Sequence, residues 1–249
     1  MSSFFSKKTI ERFSRQMILK KVGPVGQKKI MNSKVLVVGA GGLGCPVIDL
    51  LARAGVRNLG IVDFDKVSLS NLQRQNLFNS THIGKFKVDV IKQIVPKIYK
   101  DTKLKIFKKK ILENNVTKII SNYEIVVDAS DNFETKFLLN KHCLKNKKTL
   151  IVGAISKFDG HIFHFNFKNK NTPCLKCFYQ TDSIDVFLDC EEEGVLGPVA
   201  GIVGSIQANE VLKSILGTKN LLIKQILIID LFKTNFRKVK FFKKKECIC

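Results

Sequence analysis

The chain has 249 residues and a hydrophobic content of 45%, enough to bury a full core in one large α/β domain. Its net charge of +22 would suit a nucleic-acid binder, but only six of its 43 basic residues are arginines, and no aromatic-interleaved basic stripe accompanies them. Base-reading sites favour the planar arginine fork, so the scattered lysines, clustered briefly at Lys108–Lys110, Lys145–Lys148 and Lys243–Lys245, read as solvated surface and as drift in an AT-rich genome.

In chain order, residues 9–31 read as a polar arm and a helical segment carrying Arg12 and Arg15. The run Lys34 to Gly39 (KVLVVG) is short and β-branched, as a buried parallel strand requires. A glycine turn follows, then an amphipathic helix over about 43–54 and a second strand from Leu59 to Asp63. The alternation continues with a helix near 85–98, a strand around 103–107, a strand from Tyr123 to Asp128, a helix near 132–146 and a strand from Thr149 to Gly153. This spacing predicts a doubly wound, mostly parallel sheet. Polar–apolar alternation over His161–Phe167 and Phe236–Phe242 predicts antiparallel strands in the C-terminal half, with a helix over about 198–216 between them.

No linker-like segment or internal repeat divides the chain, so one domain is expected. No apolar leader precedes the first strand. The uncharged stretch Gly194–Asn209 has 16 residues, interrupted by Pro198, Ser205 and Gln207, and falls short of a membrane span. The expectation is a soluble, cytoplasmic protein. Seven cysteines, an odd number, argue against a disulfide framework. Four fall in two tight pairs, Cys174-x-x-Cys177 and Cys247-x-Cys249, while Cys45, Cys143 and Cys190 stand apart.

The glycine turn Gly39-Ala40-Gly41-Gly42-Leu43-Gly44 lies between a predicted strand and a predicted helix, the context a phosphate-binding turn needs. Glycines let the backbone approach a phosphate, and the helix N-terminus offers unpaired N–H donors. Asp63, at the end of the second strand and followed by Asp65, is placed to accept from ribose hydroxyls. On this loop alone a Rossmann-like nicotinamide or flavin oxidoreductase stays open. The block Asn71-Leu72-Gln73-Arg74-Gln75-Asn76, then Lys87, then Asp131 favours a nucleoside triphosphate, whose several charges call for side-chain cations beyond a backbone cradle. Asp131 follows a strand at the carboxyl edge, where a carboxylate can hold Mg²⁺ against phosphate oxygens. Standing alone it reads as a helix N-cap, with Glu134 three residues on. Cys45 reads as a small core residue. His161 and His164 alternate on a strand with no partner nearby in sequence and read as core or surface histidines.

The segments RFSRQ (12–16), VGAGGLG (38–44), DFD (63–65), SNLQRQ (70–75), GKFK around Lys87, ASDN (129–132), CLKC (174–177) and GVLGPVAGIVGSIQANE (194–210) resemble the MoeB/ThiF family, bacterial relatives of the ubiquitin-activating enzymes. The resemblance runs in one register from about residue 9 to the C-terminus. It implies ATP-dependent adenylation of the C-terminal glycine of a small ubiquitin-like sulfur-carrier protein ending in Gly-Gly, in a homodimer. By matching position, it implies that Asp63 holds the ribose, that Asn71, Arg74, Gln75 and Lys87 surround the phosphates, and that Asp131 binds Mg²⁺. Arg15 would reach the triphosphate of the neighbouring subunit. The two cysteine pairs would form a structural Zn²⁺ site of four thiolates. The second pair departs from the family's Cys-x-x-Cys, which leaves loss of the metal or a substitute ligand open.

Cys190 matches a cysteine that joins the carrier covalently in thiazole-pathway relatives. Its neighbours Glu191–Glu193 would raise its thiol pKa, so a spare thiol fits as well as a reactive one. VSLSNLQRQ and Gly84 look closer to the molybdopterin branch, GVLGPV to the thiamine-thiazole branch. No rhodanese-like extension follows, so a separate sulfur-donor protein is expected. The organisation implied is an N-terminal helical arm (about 1–31), a nucleotide-binding part (about 32–155) and a carrier-binding and zinc part (about 156–249). A catalytically silent nucleotide-binding relative is the other alternative.

Overall fold

The computed structural model describes residues 5–179, 194–245 and 247. Cys190, Glu191–Glu193 and Cys249 lie outside the described residues.

The expected N-terminal helical segment is two helices, α1 (Lys7–Met17) and α2 (Gly23–Asn32). Ser6 caps α1 by accepting the Thr9 N–H at 3.2 Å. The break falls at Gly23, whose φ of +56° leaves the helical region, followed by Pro24 at the start of α2, where a missing N–H costs nothing. Phe13 anchors the arm, with its ring edge-on to Tyr99 at 5.5 Å and Met31 in the same cluster.

The core of the molecule is one eight-stranded sheet. Its first part comprises β1 (Lys34–Val38), β2 (Asn58–Val62), β3 (Lys103–Phe107), β4 (Ile125–Asp128) and β5 (Thr149–Ser156). The second part comprises β6 (Asp159–Asn166), β7 (Gln225–Asp230) and β8 (Asn235–Lys240). The order is β3-β2-β1-β4-β5-β6-β7-β8, parallel from β3 to β5 and antiparallel from β5 to β8. The α/β class, the parallel half and the antiparallel C-terminal half are therefore as expected.

Helices cover both faces of the parallel part, and one strand feeds two cores. On β1, Val35 and Val37 pack into one cluster and Leu36 and Val38 into the other. The first cluster takes α3 (Gly44–Ala54), α4 (Lys87–Ile98) and α8 (Gly197–Leu216) through Ile48, Val88 and Val203. The second takes α5 (Val116–Ile120), α6 (Phe133–Lys145) and α7 (Leu175–Phe178) through Ile120, Leu139 and Leu175. The thiol of Cys45 is fully buried in the first, and desolvation pushes its pKa up to about 12. His164 is a core residue: its Nδ1 lies 2.9 Å from Glu210 Oε2, a partner that only the fold supplies.

Two differences from the sequence expectation matter. Strand β7 was not anticipated, because QILIID is apolar without alternation; Ile226 and Ile229 are both fully buried. Strand β5 runs three residues further than expected. Its pairing with β4 ends at Val152 opposite Asp128, but its pairing with β6 continues to Ser156 opposite Asp159. The β5–β6 hairpin thus projects past the end of the parallel strands and walls a cleft there.

Candidate nucleotide-binding site

Strand β1 hands on to β2 on one side and has β4 on the other, so the sheet reverses its order between β1 and β4. Open α/β sheets form their ligand crevice at the carboxyl edge of such a switch point. A cleft of about 610 Å³ opens there. Its lining includes Gly39, Gly41, Gly42, Asp63, Asp65, Asn71, Arg74, Gln75, Lys87 and Asp131.

The glycine turn is forced by packing. Gly39 has φ +94°, and a Cβ there would lie 2.5 Å from the Ala129 carbonyl oxygen. Gly44 does not line the cleft; it closes the turn from behind, where a Cβ would lie 2.0 Å from Gly39 O. Gly42 sits beneath the aliphatic stem of Arg74, and a Cβ on Gly41 would lie 3.8 Å from Gln75 Nε2. Helix α3 begins immediately after, and no side chain caps it. Its first N–H groups, with the positive end of the helix dipole, suit an anion.

Asp63 is 8% exposed. Its Oδ2 accepts the Ala40 N–H at 2.7 Å and its Oδ1 the Asp65 N–H at 2.8 Å, which fix the carboxylate over the turn. Burial pushes its pKa up, and Lys87 opposes that shift. Each oxygen keeps a lone pair for a hydroxyl donor. Lys87 opens α4 as a buried ammonium 2.9 Å from Asp65 Oδ2. Asp65 thus lines the cleft and holds Lys87 as well.

The SNLQRQ block folds as a short 3-10 turn over Leu69–Asn71. The Asn71 carbonyl accepts the N–H groups of Arg74 (3.1 Å) and Gln75 (3.0 Å). Arg74 Nη1 donates to Ser70 O at 3.1 Å. Gln75 is 2% exposed, and its Oε1 has no partner among the described residues, leaving an acceptor for a hydroxyl or a metal-bound water.

Asp131 is not the N-cap of α6. Asn132 is, accepting the Thr135 N–H at 2.9 Å. Asp131 is exposed in the cleft, and its carboxylate accepts a hydrogen bond from Asn132 Nδ2 at 3.1 Å. An exposed carboxylate on the wall shared with the glycine turn fits Mg²⁺, a hard cation that keeps water ligands. Arg15 is exposed on α1 and does not line this cleft.

Four further features were not read from the sequence. His161 lines the cleft opposite Ala154, with its pKa lowered by burial. Phe133 and Tyr179 pack edge to face at 5.2 Å on another wall. Val38, Val62 and Ile111 give the cleft an apolar end. Lys136 is buried at its floor, against Asp128. In a chain with so many lysines, nothing in the sequence separates Lys136 from solvated ones.

Cys174, Cys177 and Cys247 converge across the second core, with all three sulfurs within 4.8 Å of one another. Cys174 Sγ lies 3.5 Å from Cys247 Sγ and 4.0 Å from Cys177 Sγ. A tetrahedral zinc thiolate with ~2.3 Å bonds separates its sulfurs by about 3.8 Å, so the three fit one ion. The one-residue spacer does not keep Cys247 away from the first pair.

An open α/β sheet with a glycine turn at its switch point, and with carboxylates and cations lining the same cleft, has the architecture of a nucleotide-binding fold. The chain belongs to the ThiF family, whose family model matches residues 13–249. It is 38% identical over 241 residues to the adenylyltransferase and sulfurtransferase MOCS3 of Culex quinquefasciatus, covering 96% of this chain and 55% of that protein. It is 35% identical to the sulfur carrier protein adenylyltransferase of Thermus thermophilus, covering 98% of this chain and 91% of that one. A probable molybdopterin-synthase adenylyltransferase of Gracilaria tenuistipitata var. liui is 37% identical, with 98% and 68% covered. The chain spans about half the length of the MOCS3 relatives it matches. The crystal structure of E. coli MccB with MccA-N7isoASN has the same fold, with a TM-score of 0.83 at 22% identity over 96% of this chain and 74% of that one. No helix among the described residues is long and apolar enough to cross a membrane.

Proposed function

We propose that this chain adenylates the C-terminal glycine of a small ubiquitin-like sulfur-carrier protein ending in Gly-Gly, using ATP, in thiamine-thiazole or molybdopterin biosynthesis. The observation that carries this reading is the convergence of Arg74, Lys87 and Asp131 on the cleft floored by the glycine turn. Likeness to a named sulfur carrier protein adenylyltransferase over nearly its whole length supports it.

In this reaction the carrier's terminal carboxylate attacks the α-phosphorus of ATP. A new carboxyl O–P bond forms, the bond to the bridging oxygen breaks, and pyrophosphate leaves with the electron pair. Both reactants are anionic and the carboxylate is a poor nucleophile, so the protein's task is neutralisation and alignment. Lys87 and Arg74 would bring charge to the phosphates, the α3 N-terminus its N–H groups, and Asp63 the ribose contact. Mg²⁺ held by Asp131 would supply charge neutralisation on the phosphate oxygens. The projecting β5–β6 hairpin would border the entry of the carrier's tail, and residues from about 156 onward would form the carrier-binding and zinc part. Zn²⁺ would be held by Cys174, Cys177 and Cys247, with Cys249 as fourth thiolate. The acyl-adenylate would then meet sulfur from a separate donor protein, in the cytoplasm.

ATP–pyrophosphate exchange with Mg²⁺, run separately with folded thiazole-pathway and molybdopterin-pathway carriers, tests the proposal. Exchange with one carrier establishes the reaction and its pathway; absence with both refutes it. Lys87→Met is expected to raise the KM for ATP about 10- to 100-fold by removing a charge-assisted contact. It should leave stability close to that of the parent, because Asp65 is partly exposed and stays hydrated. An unchanged KM would remove Lys87 from the phosphate site.

In the proposed homodimer, Arg15 acts on the neighbouring subunit's triphosphate. Arg15→Ala and Asp131→Ala are each expected to be inactive. After subunit exchange, an equal mixture should recover about a quarter of wild-type exchange, because half the dimers regain one intact site. No recovery from a mixture shown to have exchanged subunits would place Arg15 outside the partner's site.

A further inference from the structure

We infer that Lys136 is a positioning residue that locks the loop presenting Asp131 to the cleft; the inference rests on the adenylation reading above. Its ammonium is buried, with the residue 3% exposed, in a family of contacts that join three chain segments. Nζ donates to Gly153 O on β5 at 2.7 Å and to Ser130 O in the loop after β4 at 2.8 Å, and it lies 3.3 Å from Asp128 Oδ2 at the end of β4. An ammonium has three N–H donors, and all three have acceptors here.

The acceptors are held in turn. Asp128 is fully buried, and its Oδ1 accepts the Ser130 N–H at 3.0 Å and the Ser130 hydroxyl at 2.6 Å. The Asp128 carbonyl accepts Gln207 Nε2 from α8 at 2.8 Å. Gln207 also fills the space over Gly153, where a Cβ would lie 2.4 Å from Gln207 Oε1. Lys136, Asp128, Ser130, Gly153 and Gln207 therefore form one network fixing both ends of the turn that leads into Asp131. Among the described residues the Asp131 carboxylate accepts only from its neighbour Asn132, so its direction is set through the backbone of Ser130.

Burying two charges is often neutral or unfavourable compared with an apolar pair of the same volume. What Lys136 gives that an apolar residue cannot is a three-point tie between β4, β5 and the loop. In a site where displacement by 1 Å can cost about 100-fold in rate, that tie acts on the aligned state of the reactants and the metal rather than on nucleotide affinity.

The test uses the full-length chain as Lys136→Met and as Asp128→Asn/Lys136→Met, in which the double variant strands no buried charge. Mn²⁺ affinity in the presence of ATP is read by electron paramagnetic resonance, amide exchange over residues 129–132 by mass spectrometry, and kcat and KM by pyrophosphate exchange. Expected are a Mn²⁺ Kd raised about 10- to 100-fold, faster amide exchange confined to that loop, and kcat down about 100-fold with the KM for ATP within about 3-fold. Wild-type Mn²⁺ affinity and kcat in the folded double variant would overturn the inference, as would a rise in KM alone. Absence of exchange in the wild-type protein would instead overturn the adenylation reading, while the Mn²⁺ and amide readouts would still judge Lys136.

Discussion

Replacing Asp131 with alanine is expected to lower pyrophosphate exchange by about 100- to 1,000-fold, with the unfolding midpoint unchanged within about 1 °C. The two halves of that expectation have separate physical grounds. Asp131 is exposed and its carboxylate is bonded to its neighbour Asn132, so the fold loses little when the carboxylate goes. The α6 cap, whose loss would destabilise the protein by about 1 kcal/mol, belongs to Asn132. The rate loss follows from removing the negative charge that would hold a divalent cation between the glycine turn and the attacking carboxylate. Asp131→Asn should lose most of the rate too, since it keeps the shape and removes the charge. Turnover near the wild-type level in either variant would shift the metal role to another carboxylate of the cleft, Asp65 or Asp159.

Cys174→Ser should have the reverse profile, with stability falling first. Three sulfurs within 4.8 Å draw the chain around α7 to the C-terminal end across 73 residues of sequence. A metal held at about 1,000 times its Kd stabilises the folded chain by about 4 kcal/mol, which for a domain of this size means a fall in Tm of roughly 8–16 °C on its loss. Zinc measured by plasma mass spectrometry should drop from one ion per chain to near none, and a strong chelator should reproduce the shift in the parent protein. Full zinc occupancy in the variant would defeat the site. Because Tyr179 follows α7 directly and lines the cleft, some loss of exchange is expected alongside, smaller than that of Asp131→Ala.

In the parallel half, β1 and β4 were legible because they are buried on both faces and read as unbroken β-branched runs. The glycine turn was legible because only glycine can sit where Gly39 meets Ala129 and Gly44 meets Gly39. Strand β7 escaped because an apolar run without alternation does not declare its period. The break within the N-terminal helical arm was not resolved for a related reason: helical spacing persists on both sides of Gly23 and Pro24.

Local pattern by itself determined that this chain forms a doubly wound sheet with a glycine turn, and singled out polar residues that line the cleft at its edge. It also paired the cysteines by motif. The tertiary structure decided which of those residues share a cleft and what holds them there. It gave the N-cap to Asn132 and left Asp131 exposed in the cleft, kept Arg15 out of its own chain's site, and buried Lys136 among acceptors from two strands and a loop. Chain proximity is enough to specify a turn or a cap, because those bonds close within a few residues. The Lys136 ammonium takes acceptors from the end of β4, the loop after it and β5, and only the packed sheet brings β5 to the other two.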